Sequence, residues 1–132
     1  MTEDQLNKIS ETIIGCAYAV GNALGNGFLE KVYENALALE ISEKRLNVKQ
    51  QHPIKVFYKN TVVGDFIADL LIENKILVEL KIARSVDEIH LAQCLNYLKA
   101  TNLPLCLLIN FGRPRVEVRR VFQSINLKNV FN

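Results

Sequence analysis

The sequence predicts an α/β fold in which helices cover both faces of a mixed β-sheet. Three observations predict it. Two amphipathic segments of helical period open the chain, three apolar runs of strand length follow, and another helical segment separates the third run from a fourth. A helix is the usual connection between parallel strands, whereas a short turn joins antiparallel ones. The predicted order is therefore α-α-β-β-β-α-β-β, with antiparallel and parallel pairs in one sheet.

Two amphipathic helices are predicted at the start of the chain. Apolar residues recur at helical spacing over residues 4–24, and Gly25-Asn26-Gly27 then breaks the pattern. A second helix is predicted from about Phe28 to Lys44. The positions expected on its buried side are Leu29, Val32, Ala36, Leu37 and Ile41.

Three strands are predicted next. The first runs from Leu46 to Asn60, although Pro53 is expected to interrupt it early. The second and third, Gly64–Ile72 and Ile76–Ile82, are joined by a turn at Glu73-Asn74-Lys75. Their apolar character is typical of strands that are covered on both faces.

A third helix and two further strands complete the order. Ser85 and Glu88 have the spacing of a capping box, so the helix is predicted from there to about Ala100. Leu105 to Phe111 is a continuous apolar run, which predicts a central strand buried on both faces. Val116 to Val121 alternates apolar and charged residues, as a half-exposed edge strand does.

Composition limits the kind of protein that this chain can be. With 49% hydrophobic residues, 23% charged residues and a net charge of +2, it is neither a disordered chain nor a strongly basic one. Its length predicts a single domain over residues 1–132. A basic surface could still form from residues near the end of the chain and on the first strand: Arg113, Arg115, Arg119, Arg120, Lys55 and Lys59.

The beginning of the chain and the cysteines predict where the protein is found. The first residues contain no basic segment followed by an apolar one, and no stretch reaches the roughly 20 apolar residues of a membrane helix. We therefore expect a cytoplasmic protein. Cys16, Cys94 and Cys106 are far apart in apolar runs, which favours reduced core residues over disulfides or zinc ligands.

Three charged residues interrupt the apolar second and third strands: Asp69, Glu79 and Lys81. Burying a charge is costly unless the charge is paired or binds a metal. Glu79 and Lys81 are two residues apart on one strand and share a face, so an ordinary ion pair between them is one explanation. Asp69 brings a third charge from the neighbouring strand, which favours a site built from a metal ion and a lysine.

The position of Asp69 depends on the turn between the second and third strands. In an antiparallel pair a slip of one residue sends every side chain to the other face. A two-residue turn at Asn74-Lys75 would pair Asp69 with Leu80. A three-residue connection, Glu73–Lys75, pairs it with Glu79, and such connections are common in hairpins that contain one left-handed residue. We predict the three-residue connection or an equivalent bulge.

These motifs resemble those of a known family. An aspartate on the second strand and Glu79-Leu80-Lys81 on the third are similar to the core motif of the PD-(D/E)xK nuclease superfamily, although Ala68 stands where proline is usual before Asp69. The segment Gly27-Phe28-Leu29-Glu30-Lys31-Val32-Tyr33 resembles the signature of the GxxExxY proteins within that superfamily. Gln93 and Tyr97 are similar to the Gln-x-x-x-Tyr motif of RecB-type nucleases.

The resemblance implies a restriction-endonuclease-like core and a metal-dependent hydrolysis of nucleic acid, above all of DNA. It implies that Asp69, Glu79 and the backbone carbonyl of Leu80 hold Mg²⁺ or Mn²⁺. Lys81 would orient the attacking water or stabilise negative charge in the transition state. Glu30 is the implied fourth acidic residue and another ligand candidate, and its alternative is a solvated helix residue.

The resemblance also implies supporting residues. Gln93 and Tyr97 stand four apart on the third helix and project together, so Gln93 would bind the site or a phosphate and Tyr97 would position the strand or Lys81. A polar residue beside a partly buried tyrosine is the alternative. Tyr33 either supports the site or packs in the core, and Asp65 is a spare candidate ligand.

Two other functions remain open from the sequence. One is a catalytically silent module that keeps the nuclease fold and binds nucleic acid or protein. The other is a structural α/β protein with an internal ion-pair network, which would require Glu30 to point away from Asp69. A homodimer is plausible for a nuclease, because cutting both strands of a duplex in one event needs two sites and this chain predicts one.

Overall fold

The computed structural model describes residues 1–123, and the helices and strands of this part follow the predicted order α-α-β-β-β-α-β-β. The predicted domain over residues 1–132 thus extends beyond the described residues. The elements are α1 (Glu3–Leu24), α2 (Glu30–Glu43), β1 (Val48–Tyr58), β2 (Thr61–Ile72), β3 (Ile76–Lys81), α3 (Glu88–Thr101), β4 (Leu105–Asn110) and β5 (Glu117–Phe122).

The sheet of residues 1–123 has the strand order β1-β2-β3-β4-β5. β3 and β4 pair in parallel across the α3 connection, and the other neighbouring strands are antiparallel. This arrangement confirms the predicted mixed sheet. It also confirms β4 as a strand between two others, with all of its residues buried, and β5 as an edge strand.

Helices cover both faces of the sheet, as predicted. α1 and α2 pack on one face, where they meet Ile76, Val78 and Leu80 of β3. α3 packs on the other face against Leu77 of β3 and Leu108 of β4. The three cysteines are free and buried within these cores. Among residues 1–123, no helix has both the length and the apolar character needed to cross a membrane.

The two later helices begin after their predicted starts. α2 begins at Glu30 rather than Phe28, because the residue before it, Leu29, is extended, with φ −70° and ψ 155°. The backbone N–H of Phe28 donates to the Tyr33 hydroxyl at 3.2 Å. The expected buried side was wrong in its first turn: Leu29 is 82% exposed and Val32 39% exposed. Leu37 and Ile41 are buried as predicted, but Tyr33 and Glu34 are buried in place of Leu29 and Val32.

α3 is capped by Asp87 and not by Ser85. The Asp87 carboxylate accepts from the backbone N–H of His90 at 3.1 Å, and the His90 ring accepts from the backbone N–H of Asp87. Aspartate caps a helix as well as serine does. The backbone N–H of Val86, just before the cap, is already bound to the Glu117 carboxylate.

β1 and β2 form a hairpin that is much longer than its neighbours. β1 continues through Pro53, so the predicted interruption is wrong; β1 is an edge strand, where a missing N–H is tolerated. β3 pairs only with Leu70–Ile72 of β2, whereas the β1–β2 pairing continues out to Tyr58 and Thr61. The outer part of the hairpin therefore projects past β3, with a bulge where Val56 is followed by Phe57.

Candidate active site

The turn between β2 and β3 has the predicted three-residue length. Ile72 pairs with Ile76 and Leu70 with Val78, so the register places Asp69 opposite Glu79. The turn differs from the expectation in one respect. Both Glu73 and Asn74 are left-handed, with φ of 52° and 55°. Glu73 is held there because its carboxylate and its N–H both bind the backbone of Asn47, at 2.6 Å and 2.9 Å.

Where Asp69 and Glu79 face each other, side-chain oxygens accept the hydrogen bonds of backbone N–H groups, in place of backbone carbonyls. The backbone N–H of Asp69 donates to Glu79 Oε1 at 3.0 Å, and the backbone N–H of Leu80 donates to Asp69 Oδ2 at 2.8 Å. Each carboxylate is thus fixed by an amide of the other strand. One oxygen of each carboxylate is engaged in this way.

The backbone is irregular at the same level of the sheet. Ala68 packs on the α3 face and Leu70 on the α1–α2 face, although residues two apart in a regular strand share a face. Gln51, which stands across from Asp69 on β1, has a φ of 55°. A non-glycine residue in this region is strained, and such strain is found where a structure holds functional side chains.

Burial and mutual repulsion make it unfavourable for Asp69 and Glu79 to be ionised together without a neighbouring cation. Glu79 is 4% exposed, and burial together with the charge of Asp69 raises its pKa to about 8. Burial also raises the pKa of Asp69, against the opposing effects of the Leu80 N–H and of Lys81. A buried carboxylate beside a partly buried one, both with raised pKa values, attracts a cation. Within residues 1–123, Glu79 and Lys81 form no ion pair, so the simplest structural explanation for their charges is absent.

Glu30 lies on the Asp69 side of the site. It is in the first turn of α2 and exposed to solvent. Burial of part of its side chain and the charge of Asp69 raise its pKa, and Lys81 opposes that shift. Glu30 is therefore close enough to Asp69 for the two charges to interact, which argues against the structural protein that would require Glu30 to point away.

Glu34 and Gln51 form a connection between α2 and the sheet that the sequence did not reveal. Glu34 is buried, and its carboxylate accepts from the side-chain amides of Gln50 and Gln51, each at 2.7 Å, and from Lys31 at 3.0 Å. Gln51 also contributes a hydrogen bond that lowers the pKa of Asp69. The position of Glu34 one helical turn after Glu30 was the available signal for this role.

Gln93 and Tyr97 project together from α3, as their spacing predicted. The Gln93 side-chain amide donates to the Tyr97 hydroxyl at 2.9 Å. Burial and the charges of Glu79 and Asp69 raise the pKa of Tyr97, so its hydroxyl lies close enough to the carboxylate pair to interact with it. These side chains and Lys81 line a cavity of about 450 Å³ on the α3 face of the sheet.

The comparisons with known proteins agree with this geometry. The family model of the PD-(D/E)XK nuclease superfamily matches residues 7–121. The chain belongs to the PD-(D/E)XK nuclease superfamily. No curated protein matches it.

Two solved structures are similar to that of this chain. One is an alkaline exonuclease, LHK-Exo from Laribacter hongkongensis, with 16% sequence identity and a TM-score of 0.53 over 99% of this chain and 76% of that protein. The other is SSO0001, also with 16% identity and a TM-score of 0.53, which covers 78% of this chain. This chain spans 59% of the length of SSO0001. At these identities the likeness establishes the fold.

Members of the PD-(D/E)XK superfamily generally use divalent metal ions, and the donor set here fits such an ion. In the part of the chain that the structure describes, no three His, Cys, Asp or Glu side chains lie close enough to enclose a metal by themselves. Mg²⁺ does not need such a cage, because it keeps several waters and binds through one or two carboxylates. Asp69 and Glu79 are the residues that could hold it.

Two other predicted residues lie away from the carboxylate pair. Tyr33 is fully buried: its hydroxyl donates to the Gly25 carbonyl at 2.6 Å and its ring stacks on Phe111. It therefore fixes the loop before α2, on which Glu30 depends. Asp65 is exposed and pairs with Lys55 at 3.6 Å instead of approaching Asp69.

Asn110 is a structural residue near the candidate active site. The sequence gave no reason to select it. It is fully buried at the end of β4, opposite Lys81. Its side-chain oxygen accepts from the backbone N–H groups of Ala83 and Gly112, and its amide donates to the Ala83 carbonyl and the Glu117 carboxylate. Asn110 thereby fixes the chain just after Lys81.

Proposed function

We propose that this protein is a metal-dependent nuclease that hydrolyses phosphodiester bonds in nucleic acid, above all in DNA. The observation that carries the proposal is the pairing of Asp69 with Glu79. Their carboxylates face each other across β2 and β3, each anchored by a backbone amide of the opposite strand. Membership of the PD-(D/E)XK nuclease superfamily and the fold shared with an alkaline exonuclease support the same chemistry.

The residues of this chain have separate roles in that reaction. Asp69, Glu79 and the backbone carbonyl of Leu80 would hold Mg²⁺ or Mn²⁺. A bound ion of this kind supplies Lewis acidity to the phosphate and lowers the pKa of a bound water. Lys81 would orient that water or stabilise the negative charge that develops on the phosphate. Glu30 adds negative charge near Asp69 and would be a further ligand candidate.

The supporting residues bind substrate and hold the site. Gln93 and Tyr97 lie on the wall of the cavity that contains Lys81, where the Gln93 amide reaches a phosphate and the Tyr97 ring positions the strand. Tyr33 contributes indirectly, through the loop and helix start that present Glu30.

The sequence motifs support a more specific assignment within the superfamily. The GxxExxY signature that contains Glu30 and Tyr33, and the Gln-x-x-x-Tyr motif on α3, support a place in the GxxExxY group and a RecB-like site. We also propose a single domain over residues 1–132, a cytoplasmic location and a homodimer.

The second candidate is a catalytically silent module that binds nucleic acid or protein. The observation that favours it is the exposed apolar surface of the β1–β2 hairpin, which includes Phe57 and Phe66. Such a surface could bind a partner without any cleavage.

Cleavage assays distinguish the two candidates. The protein is incubated with single-stranded, duplex and branched DNA and with RNA, in Mg²⁺ or Mn²⁺, beside Glu79→Ala and Lys81→Ala. Glu11→Gln, an exposed carboxylate on α1, is the matched control. We expect metal-dependent cleavage by the wild type and the control and its loss in both variants. Equal cleavage by all four proteins would mean a contaminating nuclease, and no cleavage by the wild type would favour the silent module.

A further inference from the structure

The outer part of the β1–β2 hairpin carries exposed apolar side chains that the proposed chemistry does not use. Phe57 is 63% exposed, and Phe66 is 43% exposed. Further exposed apolar residues on the same hairpin are Tyr58, Val62, Val63 and Ile67. A concentration of exposed apolar surface on one projecting element indicates a binding surface.

This hairpin and α3 form a cavity of about 480 Å³, lined by Phe57, Phe66, Lys55, Asn96 and Lys99 among others. We call it the hairpin groove. Phe66 and Asn96 also line the cavity that contains Lys81, so the two cavities share a wall. The hairpin groove therefore adjoins the cavity that contains Lys81.

The side chains of the hairpin groove match the two parts of a nucleic-acid strand. Lys55 and Lys99 are exposed cations of this lining and can contact phosphates; Lys55 also has a weak, solvent-exposed contact with Asp65. Phe57 and Phe66 are exposed aromatic side chains of the same lining. Phe66 is held in place, because its ring packs against Tyr97 with centroids 5.7 Å apart.

The aromatic residues of the hairpin groove favour a single strand over a duplex as its ligand. Stacking on a side chain requires an unpaired base, because the bases of a duplex already stack on each other. Cationic side chains alone would suit either form. We infer that the hairpin groove binds an unpaired strand, with bases on Phe57 and Phe66 and phosphates on Lys55 and Lys99, and guides it towards Asp69 and Glu79.

This inference names the substrate form for the proposed nuclease and rests on that function for the direction of the strand. The chemistry it uses, unpaired bases on a phosphate backbone, is shared by DNA and RNA. A projecting hairpin that also contacts α3 would place a strand across the α3 face, on the side where Lys81, Gln93 and Tyr97 are found.

Binding measurements in EDTA test the groove separately from cleavage. Fluorescence anisotropy is recorded with fluorescein-labelled single-stranded DNA and RNA of about 12 nucleotides and with a blunt duplex of the same length, at several salt concentrations. We expect the wild type to prefer a single strand to the duplex. Phe57→Ala should weaken that binding about tenfold without changing its salt dependence, because it removes stacking and no charge. Phe57→Trp should restore it.

Matched controls separate the groove from general effects. Leu39→Ala removes a similarly exposed apolar side chain from α2, away from the hairpin, and should leave binding unchanged. Lys55→Ala and Lys99→Ala should each reduce the salt slope by about one, whereas Lys8→Ala on α1 should not. Equal binding by Phe57→Ala and the wild type, or a preference for the blunt duplex, would overturn the inference.

The same proteins distinguish a failure of this inference from a failure of the proposed function. If the wild type cleaves in Mg²⁺ but Phe57→Ala binds as the wild type does, the groove is wrong and the nuclease stands. If the binding pattern appears in EDTA but no metal gives cleavage, the groove stands and the nuclease is wrong.

Discussion

Neutralising Glu79 should stabilise the metal-free protein even as it abolishes cleavage. Burial and the charge of Asp69 raise the pKa of Glu79 from an ordinary value of 4.5 to about 8. The folded state therefore binds this proton more tightly than the unfolded state does. The stabilisation is present at low pH and is lost as the pH rises from 4.5 towards 8.

The size of the effect follows from the shift. Each unit of pKa corresponds to about 1.4 kcal/mol, so the wild type should lose roughly 3 kcal/mol of unfolding free energy between pH 4.5 and pH 7. Glu79→Gln cannot titrate, yet its side-chain oxygen still accepts from the backbone N–H of Asp69. The variant should match the wild type near pH 5 and exceed it by several kcal/mol at pH 8.

Urea unfolding in EDTA, followed by circular dichroism across this pH range, measures the difference. Glu11→Gln is again the control and should follow the wild type. Adding Mg²⁺ or Mn²⁺ at pH 8 should stabilise the wild type and not Glu79→Gln, because only the wild type has the paired negative charges. A wild-type stability that does not fall with pH, or a variant that falls as steeply, would refute the reasoning.

Three further substitutions test how the fold supports the site. Gln51→Gly should be more stable than Gln51→Ala by about 1 kcal/mol in urea unfolding, because both lose the amide but only glycine relieves the left-handed backbone; the reverse order would show that this conformation is not strained. Gly112→Ala should destabilise severely and reduce cleavage, because its Cβ would come 2.4 Å from the backbone nitrogen of Ala83; a wild-type melting temperature would contradict this. Ser10→Ala should raise the unfolding free energy by about 1 kcal/mol, since among the described residues the buried Ser10 hydroxyl has no hydrogen-bond partner; a loss of stability would show that the hydroxyl is satisfied.

The sequence predicted the parts of the site that depend on strand register. The apolar runs and the turn length were enough to place Asp69 opposite Glu79, because register in a two-sided sheet leaves few alternatives. The spacing of Gln93 and Tyr97 similarly fixed their common direction on α3. Local periodicity determines both relationships.

The sequence could not predict contacts that depend on how the elements pack. The apolar pattern of α2 was compatible with more than one buried face, and Tyr33 and Glu34 proved to be inside because the Tyr33 hydroxyl binds the loop before the helix. Gln51 and Asn110 look like ordinary polar residues in strands. Their roles arise only where a second element supplies the partner: Glu34 for Gln51 and Ala83 for Asn110.

The two amide anchors make Asp69 and Glu79 mutually dependent. Glu79 is held by the amide of Asp69, and Asp69 is held by the amide that follows Glu79. Asp69→Ala therefore leaves the backbone N–H of Leu80 without its acceptor, and Glu79→Ala does the same to the backbone N–H of Asp69. Each substitution also deletes a charge. The effects of the two alanine substitutions on the free energy of unfolding should therefore not be additive. Asp69→Asn and Glu79→Gln keep the acceptor oxygen, so these substitutions isolate the contribution of charge.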